Sequence, residues 1–139
     1  MRSTTGMPKE VSDDEFQSVT ALPGAERYAH FVRQAAEQKE VWSLRTLGGW
    51  VSMDDDEGDR AMPVWSHKRY AEVFATGDWT NTRAAPIELA VWIKRWLPGM
   101  AGDGVQVAVF PVLAHKEDNI VVSPEELQRD LEQELLLPG

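Results

Sequence analysis

A chain of 139 residues, 42% hydrophobic and 27% charged, is long enough for one domain with its own core and has the balance of an ordinary soluble protein. Its lack of cysteine excludes a disulfide framework, a thiolate zinc site and a thiol nucleophile. Its net charge of −9 opposes duplex nucleic acid and anionic membranes, both of which are held by lysine and arginine, and is compatible with a basic protein partner or with solubility alone.

The opening MRSTTGMPKEVSDDEF has no apolar run of the kind a signal peptide needs. The longest apolar run, Val107 to Ala114, contains a proline and falls far short of the roughly 20 residues that span a bilayer. Cytoplasmic residence is the expectation. Residues 1–12 are polar and aperiodic and read as a flexible tail, with a single domain over 13–137.

Ser12, followed three residues later by Glu15, predicts a capped helix to about Leu22, ended by Pro23-Gly24. From Ala25 to Lys39 a second helix carries Tyr28, Phe31, Val32, Ala35 and Ala36 on its inner face. His30 lies in it as a surface or packing residue, since no second ligand stands at helical spacing. Trp42 to Trp65 reads as a three-strand meander. Gly48-Gly49 makes its first turn and the acidic run Asp54 to Asp59 its second connection. That turn pairs Thr46 with Val51 and Leu44 with Met53, placing Trp42, Leu44, Val51 and Met53 on one face.

Ser66 is expected to cap a helix ending near Thr76-Gly77, with Tyr70, Val73 and Phe74 inward. A short extended segment, Asp78 to Ala84, follows. The next helix begins between Pro86 and Leu89 and stops at Pro98-Gly99, with Leu89, Trp92, Ile93, Trp96 and Leu97 as its apolar stripe. Trp92 and Trp96 read as core packing because the stripe continues in leucine and isoleucine. Val105 to Val112 is apolar on both sides of its alternation and predicts a central strand, with Asn119 to Val122 as a second. Ser123-Pro124-Glu125-Glu126 then opens a helix with Leu127, Leu131 and Leu135 in line. The fold class is α+β: a mainly antiparallel sheet, built from the N-terminal meander and the C-terminal strand pair, packed against amphipathic helices.

ERYAHFVRQAAEQKEVWSL, MPVWSHKRYAEVF, IELAVWIKRWLPGM and VAVFPV with VVSPEEL together resemble a bacterial family known only as domain of unknown function 2750. The similarity runs from about Glu26 to Leu127. It implies a small, single-domain, cytosolic bacterial protein and no particular activity. Val64 to Phe74, and VFPV with VVSPEEL, are also similar to the N-terminal domain of enhanced-serine-sensitivity proteins.

Chemistry is sparse. An EF-hand starting at Asp54 would need glycine at its sixth position, where Asp59 stands. Ser66 and His67 are adjacent, so on a helix start their side chains should diverge. His30, His67 and His115 lack metal-ligand spacing, and Gly99, Gly102 and Gly104 end a helix instead of opening one. The expectation is a protein without catalysis, metal or cofactor.

One local rule is broken. Helix starts favour acidic residues, yet this one begins Ser66, His67, Lys68, Arg69, a composition suited to an anion with Ser66, His67 and Arg69 as contacts. Two functions follow. The first is a non-catalytic protein-binding module, inhibitor- or immunity-like or regulatory, for a basic partner. The second is a protein that binds a small anion or other ligand, through the Ser66–Arg69 helix start. A concave site with convergent donors would favour the second, and its lack the first.

Overall fold

The computed structural model describes residues 11–54, 59–75, 81–113 and 119–137. In the first sheet, β1 (Glu40–Thr46) lies between β2 (Gly49–Trp50) and β5 (Arg83–Glu88), antiparallel to both. The second sheet runs in the order β3 (Met53–Asp54), β4 (Arg60–Val64), β6 (Gln106–Val109), β7 (Ile120–Val122). Its β4–β6 pair is parallel and its other pairs are antiparallel. The two sheets meet where Trp42 and Trp65 exchange backbone hydrogen bonds, each 2.8 Å, and where Ser43 Oγ donates to the Pro63 carbonyl at 2.6 Å. The fold is α+β.

The helices are α1 (Asp13–Thr20), α2 (Gly24–Gln38), α3 (Lys68–Phe74), α4 (Leu89–Val91), α5 (Leu97–Asp103) and α6 (Pro124–Leu136). Ser12 and Ser123 cap α1 and α6 as their sequences predict, accepting from the amides of Glu15 and Glu126. The C-terminal strand pair also forms, with Val107 opposite Val122. The inner face of α2 buries Phe31, Val32, Ala35 and Ala36, while Tyr28 is half-buried and bonds to Asp130 on α6.

The predicted meander makes both of its antiparallel pairings, β1 with β2 and β3 with β4, but its middle strand is broken at Val51-Ser52 and its first register is shifted. Thr46 pairs with Gly49 and Arg45 with Trp50, so Leu47-Gly48 is the turn and the register moves by two residues from the expected one. The Thr46 hydroxyl closes that turn, accepting from the Gly48 amide and donating to the Gly49 carbonyl. A shift of two preserves which side chains share a face, so Leu44 and Val51 are buried together as expected while Trp42 and Met53 are partly buried. After Trp50 the chain leaves for the other sheet. The other edge of β1 is taken by β5, whose Pro86 is tolerated because the strand lies at the sheet's edge. The connection over 55–58 and the expected helix end at Thr76-Gly77 lie outside the described residues.

The helix from Leu89 does not stop at Pro98-Gly99. It passes through a π-helical turn, Trp92–Trp96, and continues as α5 to Gly104, which closes it at φ 73°. Proline inside an α-helix lacks an N–H and collides with the carbonyl four residues back. The wider turn just before Pro98 relieves that collision. The apolar stripe packs as predicted, Trp92 fully buried and Trp96 edge-on to Trp50 at 5.1 Å.

Arg27 is the buried residue that periodicity does not announce. Fully enclosed on α2, it donates through Nη1 to the Leu22 carbonyl (2.6 Å), through Nε to the Phe110 carbonyl (3.2 Å) and through Nη2 to Asn119 Oδ1 (3.1 Å). Truncation leaves these acceptors without their donor, each at about 1–3 kcal/mol when buried. Arg27→Ala is therefore expected to lose at least about 3 kcal/mol in urea unfolding, with Arg27→Lys recovering only part because an ammonium lacks the planar fork. A midpoint within error of wild type for Arg27→Ala would contradict this.

Candidate functional site

The structure brings Ser66, His67 and Arg69 together at the start of α3 but directs Ser66 and His67 into the protein and lays Arg69 over α1. The N-cap is His67, not Ser66, and its side chain makes no capping bond. Ser66 is fully buried and His67 nearly so. Contrary to the expected divergence, Ser66 Oγ lies 2.9 Å from His67 Nδ1, because both residues precede the helix and His67 is extended at φ −138°. Arg69 reaches back to α1: Nη2 pairs with Asp13 Oδ1 at 2.7 Å, Nη1 donates to the Val11 carbonyl, and the guanidinium sits 4.7 Å from the centre of the Phe16 ring. Lys68 lies 3.8 Å from Glu72 along the exposed side of α3. The cations of this helix start are thus engaged by acidic neighbours, and α3 is only seven residues long.

A concave site lies beside it, beyond the carboxyl ends of the parallel strands β4 and β6. Each strand hands the chain to a wall: Trp65 after β4, and Phe110, Pro111, Val112 and Leu113 after β6. The C-terminal part of α1 adds Phe16, Thr20 and Ala21, and α3 adds Tyr70, Val73 and Phe74. Together they border a half-open cleft of about 290 Å³. Aromatic rings dominate. Tyr70 stacks on Phe16 at 5.5 Å and meets Phe110 at 4.6 Å, and Trp65 meets Phe74 at 5.2 Å. Val73, expected to face inward, is instead 45% exposed at the rim with Leu113, 43% exposed.

Phe110 holds this wall in an unusual conformation. Its φ is 54°, in the left-handed region that a bulky residue rarely enters. Bonds on both sides fix it. Its amide donates to the Val64 carbonyl at 2.8 Å, extending the parallel ladder, and its carbonyl accepts from Arg27. Trp65 Nε1 donates to the Pro111 carbonyl at 3.0 Å, tying the two strand ends together across the cavity floor.

Sequence reasoning named Tyr70, Val73 and Phe74 as one face but did not join them to Phe16, Trp65 or Phe110. Helical periodicity groups residues within one element. Nothing in the spacing says that the ends of two distant strands converge. Among the described residues no group of His, Asp and Glu is arranged to hold a metal ion, and no helix is long and apolar enough to cross a membrane.

Fold and cavity together define a small α+β domain with an aromatic-lined cleft at its parallel strand ends. The family model described as Protein of unknown function (DUF2750) matches residues 28–131, most of the chain, and the protein belongs to that family. The match includes Trp65, Tyr70, Phe74 and Phe110, while Phe16 on α1 precedes it. No curated protein matches the chain.

The Tyr70 hydroxyl is buried and has no hydrogen-bond partner among the described residues. Burial first, and the Glu15 charge second, push its pKa well above its ordinary value of 10.0, against a smaller opposing effect of Arg69. Burial and the bond to Asp130 do the same for Tyr28. A folded protein that keeps these protons binds more of them above pH 10 than the unfolded chain does, so stability is intact below that point and falls as pH rises past it. Tyr70→Phe removes an orphaned donor and keeps the ring. Its melting temperature near neutrality should equal or exceed that of wild type, and its loss on raising the pH to about 11 should be smaller. A Tyr70→Phe protein clearly less stable at neutral pH would show that the hydroxyl is satisfied in solution.

Proposed function

We propose that this protein is a non-catalytic binding protein for a small apolar molecule, held in the cavity at the ends of β4 and β6. The observation that carries the reading is the cavity itself: concave, ring-lined and rimmed by exposed Val73 and Leu113. Cavities of this size with mostly apolar walls are the usual form of ligand sites, and exposed apolar rims mark places where something docks. Among the described residues the lining carries no carboxylate, imidazole or amine, and the reading assigns these walls binding alone. Binding to the folded state alone raises stability by RT ln(1 + [L]/Kd), about 2.7 kcal/mol at a hundredfold excess over Kd. A thermal-shift panel of small apolar compounds is therefore expected to contain several that raise the melting temperature of wild type. Ala21→Trp, placed at an exposed position of the wall, should cancel those shifts. A panel without a single dose-dependent rise, or rises that persist in the filled variant, would refute the reading.

A second reading, the protein-binding module for a basic partner, draws support from α6. There Glu125, Glu126 and Glu132 are exposed, and the helix ends at exposed Leu136 and Leu137. Association through such a surface should be fast and should weaken steeply with salt. Changing the three glutamates to glutamine should remove the salt-sensitive fraction of proteins captured at low ionic strength, and an unchanged set would count against it.

A further inference from the structure

The cavity's dimensions and walls narrow what it takes. We infer that its ligand is an uncharged aromatic molecule of one or two fused rings, about the size of indole. This rests on the ligand-binding reading above and specifies its chemistry. Size comes first. An apolar protein cavity of about 150 Å³ holds one benzene, and this one, at about 290 Å³, has room for a bicyclic body or a substituted single ring.

Shape and surface come next. Rings from four separate parts of the chain line the cavity: Phe16, Trp65, Tyr70 and Phe74, and Phe110. Their mutual angles are mixed, stacked for Phe16 and Tyr70 at 14° and tilted for Trp65 with Phe74 at 50° and Tyr70 with Phe110 at 53°. Such walls present both faces and edges. A planar π-system can meet a face offset or an edge end-on, both favoured by the ring quadrupoles, and an aliphatic chain gains neither.

The described walls favour a neutral ligand. Among the described lining residues no side chain is ionised, and the Thr20 hydroxyl gives its proton to the Phe16 carbonyl at 2.7 Å. An anion or cation entering would lose its hydration without a counter-charge. Arg69 does not supply one, because its guanidinium is held by Asp13 and the Val11 carbonyl.

The test uses the isotope-labelled chain and three probes: indole, indole-3-acetate and 1-hexanol. Backbone amide shifts of Val112 and Leu113 report binding beside the cavity. Indole should saturate these shifts at least tenfold more tightly than either other probe, and Ala21→Trp and Leu113→Trp should each abolish the effect. Amide dispersion shows whether each variant is folded, and either one alone suffices. If 1-hexanol or indole-3-acetate binds as tightly as indole, the aromatic, uncharged class is wrong while the ligand-binding reading stands. If indole binds both filled variants as it binds wild type, it sits elsewhere and the inference falls. Absence of binding by all three probes overturns the inference, and the broader thermal-shift panel then decides the parent reading separately.

Discussion

One buried cation organises this fold. The Arg27 guanidinium has left water entirely, a transfer that costs several kcal/mol even after the surroundings relax. Oxygen acceptors offset that cost, and each belongs to a different part of the chain. The Leu22 carbonyl fixes the bend between α1 and α2, the Phe110 carbonyl fixes the end of β6, and Asn119 fixes the entry to β7. Asn119 in turn accepts from the amide of Val112, so a single side chain and its partner hold both flanks of the 110–119 connection. Charge-assisted bonds are about twice as strong as neutral ones, and the planar fork of arginine serves three directions at once. The arrangement is an anchor made of backbone carbonyls, with α2 as its base.

Phe110 is the residue this anchor acts on most directly. A left-handed conformation costs an ordinary residue roughly 1–2 kcal/mol, and such strain persists only where neighbours over-determine it. Here the Val64 carbonyl holds the amide and Arg27 holds the carbonyl, so the residue is pinned from both sides. The consequence is directional. The chain turns sharply off β6, the Phe110 ring packs against Tyr70, and Pro111 presents its carbonyl to the indole of Trp65. Strain in the backbone and the presence of a cavity share one cause, the need to bring the ends of β4 and β6 together while leaving space beyond them.

How much of this could be read beforehand depends on the range of the signal. Ser12, Ser123 with Pro124, and the leucines of α6 each report on their own helix, and each formed as its sequence says. The β6–β7 pair was equally legible, because two β-rich runs with a short polar connection have few alternatives. The hairpin at Thr46 to Gly49 was legible in its faces but not in its register. Two glycines in a row permit either turn, and the choice fell to the Thr46 hydroxyl, which spacing does not describe. Gly48-Gly49 places β2 beside β1 but carries no sign that β5, far along the chain, takes the other edge of β1. Pro98 misled for a different reason: a proline signals a stop unless the turn before it can widen, and that depends on how Trp92 and Trp96 are packed. The cavity was least visible of all. Its residues come from four stretches, related only by the parallel pairing of β4 with β6, a contact between distant segments that leaves no local pattern.

Orphaned polar atoms alone do not separate a site from a core. Both the Trp92 indole nitrogen and the Tyr70 hydroxyl are buried without partners among the described residues. Trp92 is fully enclosed within the apolar stripe, where its bulk fills space that a smaller side chain would leave empty, and the cost of its unpaired N–H is repaid by packing. Tyr70 has no such compensation. Phenylalanine would stack on Phe16 and meet Phe110 equally well, so the hydroxyl adds a cost of about 1–3 kcal/mol to a wall that packing alone would build more stably without it. The contrast with Tyr28 sharpens the point, because that hydroxyl has Asp130 as its partner and joins α2 to α6. The Tyr70 hydroxyl is thus a cost on the cavity wall that no contact among the described residues offsets. The ring accounts for the packing of this wall against Phe16 and Phe110, and the hydroxyl contributes nothing to it.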